Sequence, residues 1–350
     1  KGKEGDRWLK MGLEILQAEL KEQILKDGGH FELSPMYHSI VLELILDIIQ
    51  LSQEESSPEE LSSISQELIR ISEKMLNWLL KMCHLDGEIS FFNDAAIGIA
   101  ENPKEILNRF NILTGKNLNF EDKNELMPAS GYARMINKDS LLIMDVGDVG
   151  AEYIPGHGHA DTLSVEFSIF GERLIVNSGT SEYGNGSRRI FERSTAAHST
   201  LEINSADSSE VWSGFRVGRR AKVRNVAFLN EITLVAEHDG YYYLSRKPIH
   251  KRKVTLKEKE LIIEDSISAQ CKKAIARFNI HPDIELTPFE KNSGIMRLSE
   301  GKKLYWEAST EDIYVENNMF SEGFGKLEPM KTIVIEHKNC RKANFVIKWE

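Results

Sequence analysis

The stretch Tyr153–His198 reads Y-I-P-G-H-G-H-A-D-T-L-S-V-E-F-S-I-F-G-E-R-L-I-V-N-S-G-T-S-E-Y-G-N-G-S-R-R-I-F-E-R-S-T-A-A-H. Its middle alternates cleanly. Leu163, Val165, Phe167 and Ile169 fall on one face of an extended chain; Ser164, Glu166 and Ser168 fall on the other. A period of two predicts a strand with one face on a core. Gly171-Glu172 then turns the chain, and Arg173–Asn177 returns it. His157-Gly158-His159 precedes this hairpin, and a loop with Tyr183, Arg188, Arg189, Arg193 and His198 follows it. Such loops on a β-scaffold present a polar site, here expected to be a metal-supported site for a polyanionic sugar.

Outward from the hairpin, the pattern past Gly131 stays extended. Strands are expected at Tyr132–Ile136, Ser140–Asp145, Ser199–Ile203, Ala221–Phe228, Ile232–Glu237, Ile249–Leu256, Glu260–Ser266, Ala274–Ile280 and Lys331–His337. Turn residues recur every 8–12 positions, as in Asn137-Lys138-Asp139 and Asp239-Gly240, which is the signature of an antiparallel β-sandwich. Before Ser90 the period changes. Residues 4–26 space their apolar side chains helically and stop at Asp27-Gly28-Gly29. Ser34-Pro35 and Ser57-Pro58 open two further helices, to about Leu51 and Cys83. Pro103–Thr114 is a short helix and Gly115–Pro128 a polar linker. The expected class is α+β and multidomain: helical hairpins over 1–127, then the sandwich over 128–350.

Bulk properties agree. At 350 residues the chain exceeds one comfortable core. A formal charge of −10 argues against nucleic acid as a partner, though a local basic patch can still bind an anion. Cys83, Cys271 and Cys340 are odd in number and far apart, so neither a disulfide framework nor a cysteine zinc site is expected. No apolar run reaches membrane-spanning length. The opening K-G-K-E-G-D-R-W is neither a signal peptide nor a natural start, so a trimmed chain is expected.

Four constellations can carry chemistry. His157 and His159, with Asn177 and His198, offer imidazole and oxygen donors of the kind that bind zinc, and Asp161 is near enough to orient an imidazole. The plain alternative is a pair of surface-loop histidines. Arg188, Arg189 and Arg193 suit carboxylates or sulfates, as Arg216, Arg219 and Arg220 also do; a solvated basic face is the alternative. His30, Glu32, Tyr37 and His38 cluster at a helix junction, as sugar contacts with a tyrosine acid or base, or as ordinary packing. Tyr37 as base needs a cation to lower its pKa from about 10. Phe91-Phe92-Asn93-Asp94 is a turn that ends a helix, with Asn93 a candidate sugar contact. No nucleophile elbow, Walker A loop, dinucleotide fingerprint or H-E-x-x-H is present.

Together, D-G-G-H-F-E-L-S-P-M-Y-H at 27–38, F-N-D at 92–94, G-H-G-H-A-D-T-L-S-V-E at 156–166 and R-S-T-A-A-H-S-T at 193–200 resemble the heparinase II/III-like family of polysaccharide lyases. The resemblance implies an incomplete α/α toroid followed by an antiparallel β-sandwich. It implies a bacterial carbon–oxygen lyase that cuts a uronic-acid glycan, heparan-like, alginate-like or a bacterial surface polysaccharide, by β-elimination. Tyr37, His157 and Tyr183 would be catalytic. His159, Asn177 and His198 would hold one divalent metal, zinc, in an organising role. Asn177 departs from the Asp usual at its position. The family's carboxylate-neutralising Asn or His lies on an earlier helix, so the chain is expected to lack the first part of the toroid. An acidic polysaccharide or oligosaccharide is the expected partner, with a homodimer as the expected assembly and the periplasm ahead of the cytoplasm. Two rivals stand beside this reading: a glycan-binding protein that has lost activity, and a metal-dependent hydrolase.

Overall fold

The computed structural model describes residues 2–287, 292–309, 312–337 and 342–350; Cys340 lies outside them. Helix α1 spans Lys3–Gln23, α2 Pro35–Ser52, α3 Glu59–Lys81 and α4 Pro103–Thr114. The Ser34 signal acts as expected, but Ser57 gives α3 no side-chain cap, that helix starting after Pro58, and α1 ends at Gln23, before Asp27-Gly28-Gly29. Ser34 caps α2 by accepting the Tyr37 N–H, with Pro35 in the first turn, and Asn102-Pro103 starts α4 in the same way. The helices share one apolar cluster, with Leu42, Leu46 and Ile49 of α2 against Leu68, Met75 and Leu79 of α3 and Phe110 of α4. Leu13, Leu16 and Leu20 of α1 pack at its edge, whereas Trp8, Met11 and Ile15 of the same helix stay exposed.

Two antiparallel sheets follow. The first runs in space through Glu125–Met127, Tyr132–Asn137, Ser140–Asp145, Val165–Ile169, Glu172–Val176, Ala274–Ile280, Glu328–His337 and Ile313–Phe320, with Leu201–Ile203 also paired to Ala274–Ile280. The second runs through Glu285–Leu286, Ser293–Arg297, Lys303–Ala308, Lys342–Trp349, Glu260–Ile267, His250–Lys257, Thr233–His238 and Val223–Asn230. Their facing sides share one core that includes Val165, Phe167, Phe278, Trp306 and Phe345. The sheet starts earlier than expected: Glu125–Met127, inside the tract read as linker, pairs with Tyr132–Arg134. The Tyr183–His198 loop also gains a short helix, α5, at Ser187–Arg193. Among the described residues no helix is long and apolar enough to cross a membrane.

The strand that opened the reading is buried on both faces, not one. Val165, Phe167 and Ile169 enter the inter-sheet core. Glu166 and Ser168 turn toward the helical layer. Glu166 Oε2 meets His84 Nε2 at 2.7 Å, and its carboxylate also accepts the N–H groups of Phe91 and Asn177 at 2.9–3.2 Å. Ser168 Oγ accepts the Leu85 N–H at 3.4 Å. The buried carboxylate is tolerated because its oxygens are paired, whereas Ser164 Oγ on the same face makes no hydrogen bond among the described residues. Arg134 adds bonds to the carbonyls of Lys81 and Cys83, and the Trp78 indole donates to Ser130 Oγ at 2.8 Å. The first sheet is therefore clasped between the second sheet and the helices.

Candidate active site

At the mouth between helices and sheet, Tyr37 stands in the first turn of α2. Ser34 Oγ accepts its N–H at 3.1 Å and donates to the Asp94 carbonyl at 2.5 Å, fixing the helix start to the 93–94 turn. The hydroxyls of Tyr37 and Tyr183 are 2.9 Å apart. The His157 ring lies over Tyr37, with centroids 3.9 Å apart and planes at 31°. Phe215 and Phe324 brace the Tyr183 ring at 5.1 and 4.9 Å. The three residues expected to be catalytic thus converge from three separate segments.

Behind them lies a residue the sequence reading missed. Asp94 is fully buried and is the hub of the site. Its Oδ2 is 2.9 Å from His157 Nδ1, and its Oδ1 is 2.8 Å from His159 Nε2. Arg189 grips both oxygens, one of them at 2.7 Å and the other more closely. Burial would raise the Asp94 pKa, but the hydrogen bonds from His157, His159 and Arg189 outweigh it and hold the carboxyl well below the usual range. Asp94 therefore orients both imidazoles, the part expected of Asp161. Asp161 instead accepts the Asn93 N–H at 3.3 Å. Asn93, expected to touch sugar, is buried at φ 57° and bonds Leu33 O, the Tyr132 hydroxyl and the His159 N–H. It shapes the turn that aims Asp94.

The other expected contacts divide. Glu32 lines the site, its pKa raised by burial against the opposing pull of His157. His30 is nearly closed off, with Nε2 on Gln23 at 3.0 Å, and burial with nearby His157 lowers its pKa to about 4. His38 is wholly internal: Nδ1 accepts the His30 N–H and Nε2 bonds the Met75 carbonyl, leaving no ring atom for a ligand. The three arginines face inward. Arg188 binds Glu192 and Met319 O. Arg189 binds Asp94 and Gly214 O. Arg193 binds Gly158 O and Ser213 O, holding the His157-Gly158-His159 turn in place. Burial pushes both tyrosine hydroxyls up: Tyr37 through desolvation with Asp94 adding, against the Tyr183 hydrogen bond; Tyr183 through desolvation and Asp94 together.

The residues expected to hold metal form a pair plus a neighbour. His159 Nδ1 and His198 Nε2 face each other at 3.1 Å. Their other nitrogens are anchored, His159 Nε2 on Asp94 and His198 Nδ1 on Ser194 O at 2.7 Å. Those anchors are acceptors, so each anchored nitrogen carries the proton and neutral rings would point two lone pairs at one another. A cation between them resolves that opposition, so these two residues fit a metal. The Asn177 amide is engaged elsewhere, donating to Phe91 O at 3.1 Å and accepting the Ser199 N–H at 3.2 Å, with one carbonyl lone pair left. Among the described residues no cluster of three His, Cys, Asp or Glu suited to a metal occurs.

The chain is similar to known proteins along nearly its whole length. A family model described as Heparinase II/III N-terminus matches residues 2–119, and one described as Heparinase II/III-like, C-terminal, matches residues 122–350. A heparin-sulfate lyase of Bacteroides stercoris is 23% identical over 290 residues, covering 77% of this chain and 41% of that protein. One from Pedobacter heparinus is 28% identical over 95 residues, 27% of this chain and 14% of that one. The solved structure of a heparinase III gene product has a TM-score of 0.78 at 20% identity over 99% of this chain and 56% of its own. The heparan sulfate lyase HepC from Pedobacter heparinus has a TM-score of 0.73 at 17% identity, again covering 99% and 56%. The chain thus spans little more than half the length of these solved structures, and less of the curated relatives.

Proposed function

This chain belongs to the heparinase II/III-like family, and on that premise we propose that it carries the catalytic cleft of a lyase for a uronic-acid glycan of the heparin or heparan sulfate type. Its helices are then one part of an α/α toroid. The reaction is β-elimination. A base takes the proton at C5, α to the uronate carboxylate; the electron pair forms the C4–C5 double bond; the C4–O bond breaks and its oxygen takes a proton.

The supporting observation is the convergence of the Tyr37–Tyr183 pair with a His157 oriented by Asp94. His157 gives its Nδ1–H to Asp94, and its Nε2 makes no hydrogen bond among the described residues. Nε2 is suited to take the C5 proton, with Asp94 stabilising the imidazolium that forms. Both phenols are raised by burial and rest protonated, which suits donation rather than abstraction. Tyr37 gives the proton to the leaving oxygen, the Tyr183 hydroxyl at 2.9 Å donates a hydrogen bond to the phenolate left behind, and the proton taken up by His157 returns to Tyr37 through solvent after product leaves. The test is ultraviolet absorbance of the unsaturated product on heparan sulfate and other uronate polymers. Tyr37→Phe and His157→Ala should each lower kcat about 10²–10⁴-fold with KM little changed. Binding without product in the parent protein would instead favour the glycan-binding reading.

A divalent ion, zinc by its donors, is proposed at His159 and His198, with Asn177 as a neutral third ligand. When bound it supplies a fixed positive charge that ties the two loops together. Zinc added to chelator-stripped protein should raise stability, by about 2.7 kcal/mol at a hundredfold excess over Kd. His159→Ala should abolish the shift in thermal midpoint. A midpoint indifferent to zinc would remove the metal from this picture.

A further inference from the structure

A cavity of about 560 Å³ opens beside His157, walled by the 153–156 segment, the Gly184-Asn185 turn and the 213–216 hairpin. Its walls adjoin the active site. Gly156 precedes His157, and the Phe215 ring lies 6.0 Å from His157 and 5.1 Å from Tyr183. Two rings stand open to solvent there, Tyr153 at 66% and Phe215 at 42% exposure. The walls are tied together. Asn185 Oδ1 accepts the Gly214 N–H at 2.8 Å and the Ser213 hydroxyl at 2.7 Å. A Cβ on Gly214 would sit 2.4 Å from Gly184 O, so only glycine permits that approach. Arg189, which holds Asp94, also donates to Gly214 O at 3.0 Å. One guanidinium thus links the hairpin to the hub of the site.

Charge decides what the cavity takes. Of the arginines between positions 188 and 220, Arg188, Arg189, Arg193, Arg219 and Arg220 are committed to carbonyls or carboxylates of the protein itself. Arg216 is exposed and makes no side-chain hydrogen bond or ion pair among the described residues, and it lines the cavity. On the other face of Tyr153 lies a second cavity of about 600 Å³, where Glu22, Asp148 and Glu152 stand. An acidic sugar is drawn to the first cavity and opposed at the second.

We propose that the cavity at Arg216 is the saccharide subsite next to the reacting bond. Phe215 and Tyr153 pack on the sugar ring, and Arg216 binds its acidic substituent, a carboxylate or a sulfate, by paired charge-assisted hydrogen bonds. The inference rests on the lyase reading for the identity of the ligand, so it is tested by binding and not by turnover. A heparan sulfate oligosaccharide is titrated calorimetrically into the Tyr37→Phe protein. Adding Arg216→Ala should raise Kd about tenfold, and Arg216→Lys should recover part of the loss. The thermal midpoint should stay unchanged, because the guanidinium makes no hydrogen bond or ion pair among the described residues. Repeating the titration with carboxyl-reduced and with desulfated oligosaccharide identifies the partner, since the Arg216 effect disappears with the group that it binds. An unchanged Kd in Arg216→Ala, an effect that survives removal of both acidic groups, or no binding by the Tyr37→Phe protein would each overturn the subsite. A parent protein that binds and shows the Arg216 effect but yields no unsaturated product would overturn the lyase reading alone.

Discussion

Asp94 receives His157, His159 and Arg189 on two oxygens, with no solvent contact. A buried charge that loses its partner is strongly destabilising, because the other charge stays behind in a poor medium. Asp94→Asn removes the charge while nearly keeping the shape. It strands the Arg189 guanidinium and leaves His157 without an anionic acceptor. Stability should fall by about 3–5 kcal/mol in denaturant titration, and turnover should fall with it at concentrations where the variant is still folded. A variant as stable as the parent would mean that Arg189 finds another counter-charge. Sequence alone pointed instead to Asn93 and Asp161. The reason is physical: the His157–Asp94 contact joins residues 63 apart, and no local spacing announces it. The arginines were misdirected for a related reason. Three cations within six positions look like a surface, but Asp94, Glu192 and nearby carbonyls turn them inward. That Tyr37, His157 and Tyr183 lie together could be expected from their motifs, not from their spacing.

Helix α2 was legible to within a residue, since Ser34, Pro35 and the apolar period all act locally. The strands expected between Tyr132 and Ile280 and at Lys331–His337 were legible for the same reason, but Ser293–Arg297, Lys303–Ala308, Ile313–Phe320 and Lys342–Trp349 were not singled out. A further exception is instructive: alternation in Val165–Ile169 located the strand but not the environment of its polar face, because burial there depends on what the helices bring. His38 shows a similar dependence. It sits inside the α2–α3 contact, bonded to the His30 N–H and Met75 O and stacked near Trp78 at 4.4 Å. Burial first, then neighbouring His30, lowers its pKa to about 3. His30, facing Glu32 and His157, is lowered to about 4. Both folded values lie below the unfolded value of about 6.5, so the unfolded chain binds the protons first. Their contribution is complete above pH 6.5 and is lost as pH falls toward 3–4. Midpoints of urea unfolding should therefore drop steadily from pH 7 to 4. Buried His84, His238, His250 and His337 are shifted in the same direction, so the test of His38 is a comparison. His38→Gln should be less stable at pH 7 but should have the shallower slope; an equal slope would place the pH dependence elsewhere.

Across the whole molecule, helices and sandwich meet through buried groups that each layer leaves incomplete. His84 and the N–H of Phe91 come from the helical side, Glu166 from the sheet. Arg173 of the sheet pairs with Asp86, and Arg134 completes the carbonyls at the end of α3. Leu33, Trp78, Met82 and Phe92 pack with Tyr132, Leu141 and Ile143 in an apolar patch between them. The candidate site straddles this junction, with Tyr37 and Asp94 on one side and His157 and Tyr183 on the other, so its geometry is only as rigid as the junction. Such a junction makes the two layers one cooperative unit. Amides in α2 and α3 and in strand Ala274–Ile280 should therefore exchange with similar opening free energies in the parent protein. Glu166→Ala leaves His84 and two backbone N–H groups unpaired and should cost about 3 kcal/mol or more. In that variant the helices should open first, their exchange accelerating while Ala274–Ile280, held in the inter-sheet core, stays protected. Parent helices that already exchange far faster than the strand would show that the junction does not couple the layers, and that the site is assembled from two independently moving halves.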